Sequence, residues 1–77
     1  MNKPRKKRIE EVIANLDQDY QDLDSIVNEE RKALDNMPES LQETEKWQQD
    51  DENCSELEDI KDEVEGLKDR LQEVVDA

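Results

Sequence analysis

This chain has no histidine and no phenylalanine, and over its 77 residues it carries one glycine, one cysteine and two prolines. Each scarcity closes off some chemistry. Without an imidazole there is no ready general base and nothing to activate Cys54. Carboxylates are so common that no pair stands out as an acid and its base. A single cysteine excludes an internal disulfide and a cysteine-cluster metal site. The only glycine is Gly66. A phosphate-cradling loop, or a calcium loop with its obligatory glycine, therefore lacks its key residue over most of the chain. No stretch approaches the roughly 18 apolar residues of a membrane span. The basic start is not followed by the apolar run of a signal peptide. The expectation is a non-enzymatic chain with no cofactor and no metal, in the cytoplasm.

What is present is charge. Charged residues make up 45% of the chain and apolar ones only 31%, with 24 acids against 11 bases and a net charge of −13. Apolar content this far below the usual 45–50% fits a disordered chain, a coiled coil, or a small assembly that completes its core by pairing. The charge is unevenly placed. Lys3, Arg5, Lys6, Lys7 and Arg8 hold five of the positives, and the remainder from Ile9 onward carries all 24 acids. Such a body repels a nucleic-acid backbone and suits a basic protein surface. Residues 1–8 are expected to be a flexible basic arm, with Asn2 and Pro4 as weak helix-start signals.

Periodicity chooses among the classes. Ile9, Ile13, Leu16, Tyr20, Leu23, Val27, Glu30, Leu34 and Met37 follow alternating steps of four and three. That is a 3.5-residue seam, and only Glu30 breaks it. Val12, Ile26 and Ala33 widen the stripe, which implies contact with more than one neighbour. Toward the C-terminus, Leu57, Ile60, Val64, Leu67, Leu71 and Val74 form a second seam of the same kind. Extended backward it reaches Cys54 and Trp47, with Asp50 between them. The reading is an all-α protein: an antiparallel helical hairpin or coiled coil. Its helices are expected at about 7–35 and 39–76, with a turn at about 36–38. A hairpin alone leaves apolar positions uncovered. A homodimeric four-helix arrangement, or a partner protein, would cover them.

Two local patterns bear on the helix limits. Asn36 with Glu39 reads as a capping box that starts the second helix, with Pro38 in its first turn. Met37, preceding proline, is pushed out of helical angles. Ser55 with Glu58 is a second such box. With the polar run QQDDENCSE, it marks a candidate break near residues 50–54.

The candidate binding face is acidic: Asp17, Asp19, Asp22 and Asp24 on the first helix, and Glu56, Asp59, Asp62, Glu63 and Glu65 on the second. Like charges four apart, such as Asp59 and Glu63, weaken a helix slightly. Their abundance suits either solubility or a surface that takes the place of nucleic acid on another protein. Trp47, in a polar neighbourhood, is expected either to pack at the hairpin tip or to touch a partner.

The run Asn36-Met37-Pro38-Glu39-Ser40-Leu41-Gln42 resembles the junction of small acidic helical proteins found in phage and prophage genomes. There it joins two amphipathic helices rich in Glu and Asp. The preceding NEERKALD fits the same layout, and the likeness spans about residues 9–45. The run QQDDENCSE departs from it. The resemblance implies a phage or prophage origin, residence in an infected or lysogenic bacterial host, and a non-enzymatic role. The wider group of small acidic phage proteins often blocks host nucleic-acid enzymes. By analogy, the expected function is an inhibitor whose acidic surface mimics DNA. The alternative is a coiled-coil assembly module whose acidity serves solubility alone.

Overall fold

The computed structural model describes all 77 residues. Three helices follow in order: α1 (Lys3–Asp35), α2 (Glu39–Gln42) and α3 (Glu45–Asp76). The two long helices pack side by side as an antiparallel hairpin, a rod of 59 × 14 × 13 Å. No helix is long and apolar enough to cross a membrane.

The helix ends explain the shape. Asn2 is extended, and its side chain accepts a hydrogen bond from the Arg5 amide at 3.0 Å. This cap, with Pro4 in the first turn where its missing N–H is harmless, starts α1 at Lys3. Lys3–Arg8 is therefore the opening of α1 and not a flexible arm, a correction to the sequence reading. Repulsion among its cations is spread over nearly two exposed turns, and the Lys6 ammonium donates to the Ala77 carbonyl at 3.3 Å.

α1 ends where proline requires it. Asn36 stays in helical angles, and its amide donates to the Lys32 carbonyl at 3.1 Å. It is thus the C-cap of α1, not the N-cap of a new helix. The expected Asn36–Glu39 capping box does not form, because Met37 must be extended before Pro38. Pro38 itself caps α2, a single turn. The Gln42 amide donates to the Met37 carbonyl at 3.0 Å and ties this turn to the end of α1.

The break in the second half falls at Glu43–Thr44, and α3 is continuous through residues 50–54. Thr44 does the work expected of a cap. It is extended, its hydroxyl donates to the Leu41 carbonyl at 2.6 Å, and it accepts from the Trp47 amide at 3.3 Å. The polar run QQDDENCSE stays helical because Ser55 and Glu58 are not caps. Both accept hydrogen bonds from Arg31 across the hairpin. With the break at Thr44, the arms have nearly equal lengths of 33 and 32 residues.

The core is thin. Only Val27, Leu34, Cys54 and Val75 are buried. Trp47 closes the tip, its indole N–H donating to the Leu34 carbonyl at 3.1 Å. That carbonyl, in the last turn of α1, also accepts from the Met37 amide at 3.3 Å, so the indole adds a second bond at the helix end.

Candidate protein-docking face

Residues seven apart lie close to one row along a helix. On α1 the row Ile13, Tyr20, Val27, Leu34 faces α3. One flank is the half-buried row Ile9, Leu16, Leu23, Glu30, and beyond it lies the exposed row Val12, Asp19, Ile26. The other flank is polar, with Asp17, Asp24 and Arg31.

α3 is turned differently from what its apolar residues imply. The row facing α1 is Cys54, Lys61, Lys68 and Val75. Leu57, Val64 and Leu71 are only half-buried beside it, while Ile60, Leu67 and Val74 are exposed at 37%, 46% and 44%. The expected seam is therefore split. Half of it borders the hairpin contact and half points away.

The physical reason lies in two lysines around one tyrosine. The Lys61 and Lys68 ammonium groups lie 5.4 and 5.5 Å from the centre of the Tyr20 ring. Their stems are mostly covered, and their tips reach Asp24 at 2.8 Å and Asp17 at 2.7 Å. Lys68 also meets Glu65 at 3.1 Å. Each lysine thus contributes an apolar stem, a cation over a π-face and an ion pair. The hydrogen bond from Lys68, and then its charge, hold the Asp17 carboxyl below its ordinary range. The bonds to Asp17 and Glu65 push Lys68 up, and the bond to Asp24 pushes Lys61 up. Nearer the tip, Arg31 pairs with Asp51 and Glu58 and donates to Ser55. The hydrogen bond to Asp51, more than any other contact, pushes the guanidinium up. Cys54 lies beside this cluster, fully covered, and burial pushes its thiol up. That disfavours the thiolate a nucleophile needs.

The predicted acidic face is consequently divided. Asp17 and Asp24 clasp the two helices, and Glu65 pairs with Lys68 along α3 itself. Asp22 accepts from Gln18 along its own helix. Asp19, Glu56, Asp59, Asp62 and Glu63 are exposed and make no ion pair. The residues brought together on one side are apolar instead. Leu16, Leu67, Leu71 and Val74 line a shallow groove between the helices, rimmed by Arg70 and Glu73. Ile9 and Val12 line another at the open end of the rod, beside Arg5 and Arg8. With Leu23, Ile26, Leu57, Ile60 and Val64 they form one apolar strip over both helices, interrupted by Asp19 between Val12 and Ile26. Sequence periodicity identified these residues. It missed Lys61 and Lys68 as the residues that turn the strip outward, because their partners Tyr20, Asp17 and Asp24 lie across the hairpin.

No protein-family model, curated protein or solved structure matches the chain.

Proposed function

We propose that this protein is a non-enzymatic protein-binding module that docks through the apolar strip, as a building block of a larger helical coiled-coil arrangement. The observation that carries the reading is the outward exposure of Ile60, Leu67 and Val74 beside exposed Val12 and Ile26. A chain with only four buried residues leaves its best apolar seam half uncovered. Burying that seam supplies the driving force for association. The outer acids then keep the rod soluble and suppress unwanted contacts with nucleic acid.

A second reading is favoured by the free carboxylates Asp19, Glu56, Asp59, Asp62 and Glu63. There the partner is a nucleic-acid-binding protein of a bacterial host, and the chain is a phage-type inhibitor in the position of DNA. One comparison separates the two. The immobilised protein is used to capture its partner from native cells, alongside a Leu67→Glu variant and a variant with Asp59, Asp62 and Glu63 changed to lysine. Docking through the strip predicts that Leu67→Glu loses the partner, while the lysine variant and added duplex DNA leave capture intact. The reverse pattern would transfer the function to the acidic surface.

A further inference from the structure

We infer that the strip takes a second copy of this same chain, running antiparallel, with the basic end of each copy on the acidic tip of the other. The inference rests on the strip being the docking face and adds which partner covers it and in which direction.

The ends of the rod carry opposite charge. The open end holds Lys3, Arg5, Lys6, Lys7 and Arg8. The tip holds Asp35, Glu39, Glu43, Glu45, Asp50 and Glu52 against Lys32 and Lys46. Two copies side by side in the same direction would set each end against its like. Reversing one copy sets each against its opposite.

The register agrees. Asp17 beside Lys68 and Asp24 beside Lys61 fix which levels of α1 and α3 coincide. On that scale the apolar part of the strip runs from Ile9 to Ile26 on α1 and from Val74 to Leu57 on α3, centred between Asp17 and Tyr20. A two-fold axis through that centre superposes the apolar stretch on itself. It brings Arg5 and Arg8 of one copy within about one 5.4 Å helical turn of the level of Glu30 and Asp50 of the other. These four residues interrupt or border the strip: Arg5 and Arg8 flank Ile9 and Val12, and Glu30 and Asp50 are the two acids standing at seam positions. Neither acid has an ion-pair partner within its own chain. In the antiparallel pair both of these breaks receive cations, while Asp19, in the exposed row with Val12 and Ile26, stands close to the axis.

The size also fits. The whole long face, 59 × 14 Å, is on the order of 800 Å² per copy, the area that stable interfaces bury on each partner, and the apolar stretch takes roughly half its length. The closed arrangement is isologous, so it stops at two chains and four long helices.

Sedimentation equilibrium of the full-length chain tests the inference, with circular dichroism to confirm that each variant is helical. The wild type is expected to be a dimer. Arg5→Glu with Arg8→Glu sets glutamates against Glu30 and Asp50 and should raise the dissociation constant by at least about tenfold at low salt. Adding Glu30→Lys and Asp50→Lys to that same chain restores opposite charges and should recover most of the affinity. A dimer indifferent to the first pair of changes would overturn the antiparallel direction, because a parallel pair matches like with like before and after the swap. A wild type that stays monomeric while Leu67→Glu still abolishes capture of another protein would overturn self-pairing and leave the docking face standing. A monomer whose partner capture also ignores Leu67→Glu would remove both.

Discussion

At the scale of single residues, the account turns on Lys61 and Lys68 standing where a leucine would ordinarily stand. Lys68→Met keeps the stem and removes the charge. It should return the Asp17 carboxyl toward its ordinary value near 3.9, read by carboxyl chemical shifts in an NMR titration. The sign follows from linkage. A carboxyl lowered in the folded state contributes stability that is complete above its unfolded value. That stability fades as the pH falls through the lowered folded value. Acid should therefore weaken the Asp17–Lys68 clasp only below about pH 4, and in the variant that loss should vanish. Leu34, 1% exposed, is the best-covered large side chain. Leu34→Ala should cost about 2–4 kcal/mol in thermal unfolding. The Cys54 thiol, covered and pushed up by burial, should react with a thiol reagent only as fast as the hairpin opens.

At the scale of elements, the ends of the helices matter most. Thr44 is the sole side-chain cap of α3, and Thr44→Ala should lower stability by about 1 kcal/mol. Gly66 lies inside α3, and a Cβ added there meets nothing within 4 Å. Gly66→Ala should raise the thermal midpoint, with a gain of about 0.5–1 kcal/mol. The period of α1 and its inward row were legible in the sequence, because steps of three and four persist from Ile9 to Leu34 with one interruption. The antiparallel hairpin followed from Pro38. The second break was not legible. Thr44 lacks a glutamate three residues on, whereas Asn36–Glu39 and Ser55–Glu58 have the pattern without the geometry. The facing row of α3 was also hidden. Residue type marks lysine as polar, and only the placement of Tyr20, Asp17 and Asp24 across the hairpin reveals that a lysine stem can occupy a seam.

At the scale of the whole molecule, two demands share one chain. The inner faces hold a slender rod together by a thin apolar core with lysine stems and ion pairs around it, and the ion pairs contribute modestly when half exposed. The richer apolar surface is left exposed, and under the proposed function it serves association. The division also explains why the acids are so numerous without forming a single face: some clasp the hairpin, and the rest coat its outside. The claim that joins these scales is that Leu67 lies outside the hairpin core and inside an intermolecular contact. The most direct test is the thermal midpoint of the wild type and of Leu67→Glu, each followed over a wide range of protein concentration. The account predicts a wild-type midpoint that climbs with concentration and a variant midpoint that stays at the dilute wild-type value. A variant that melts lower than the wild type by the same margin at every concentration would place Leu67 in the core of the single chain and contradict it.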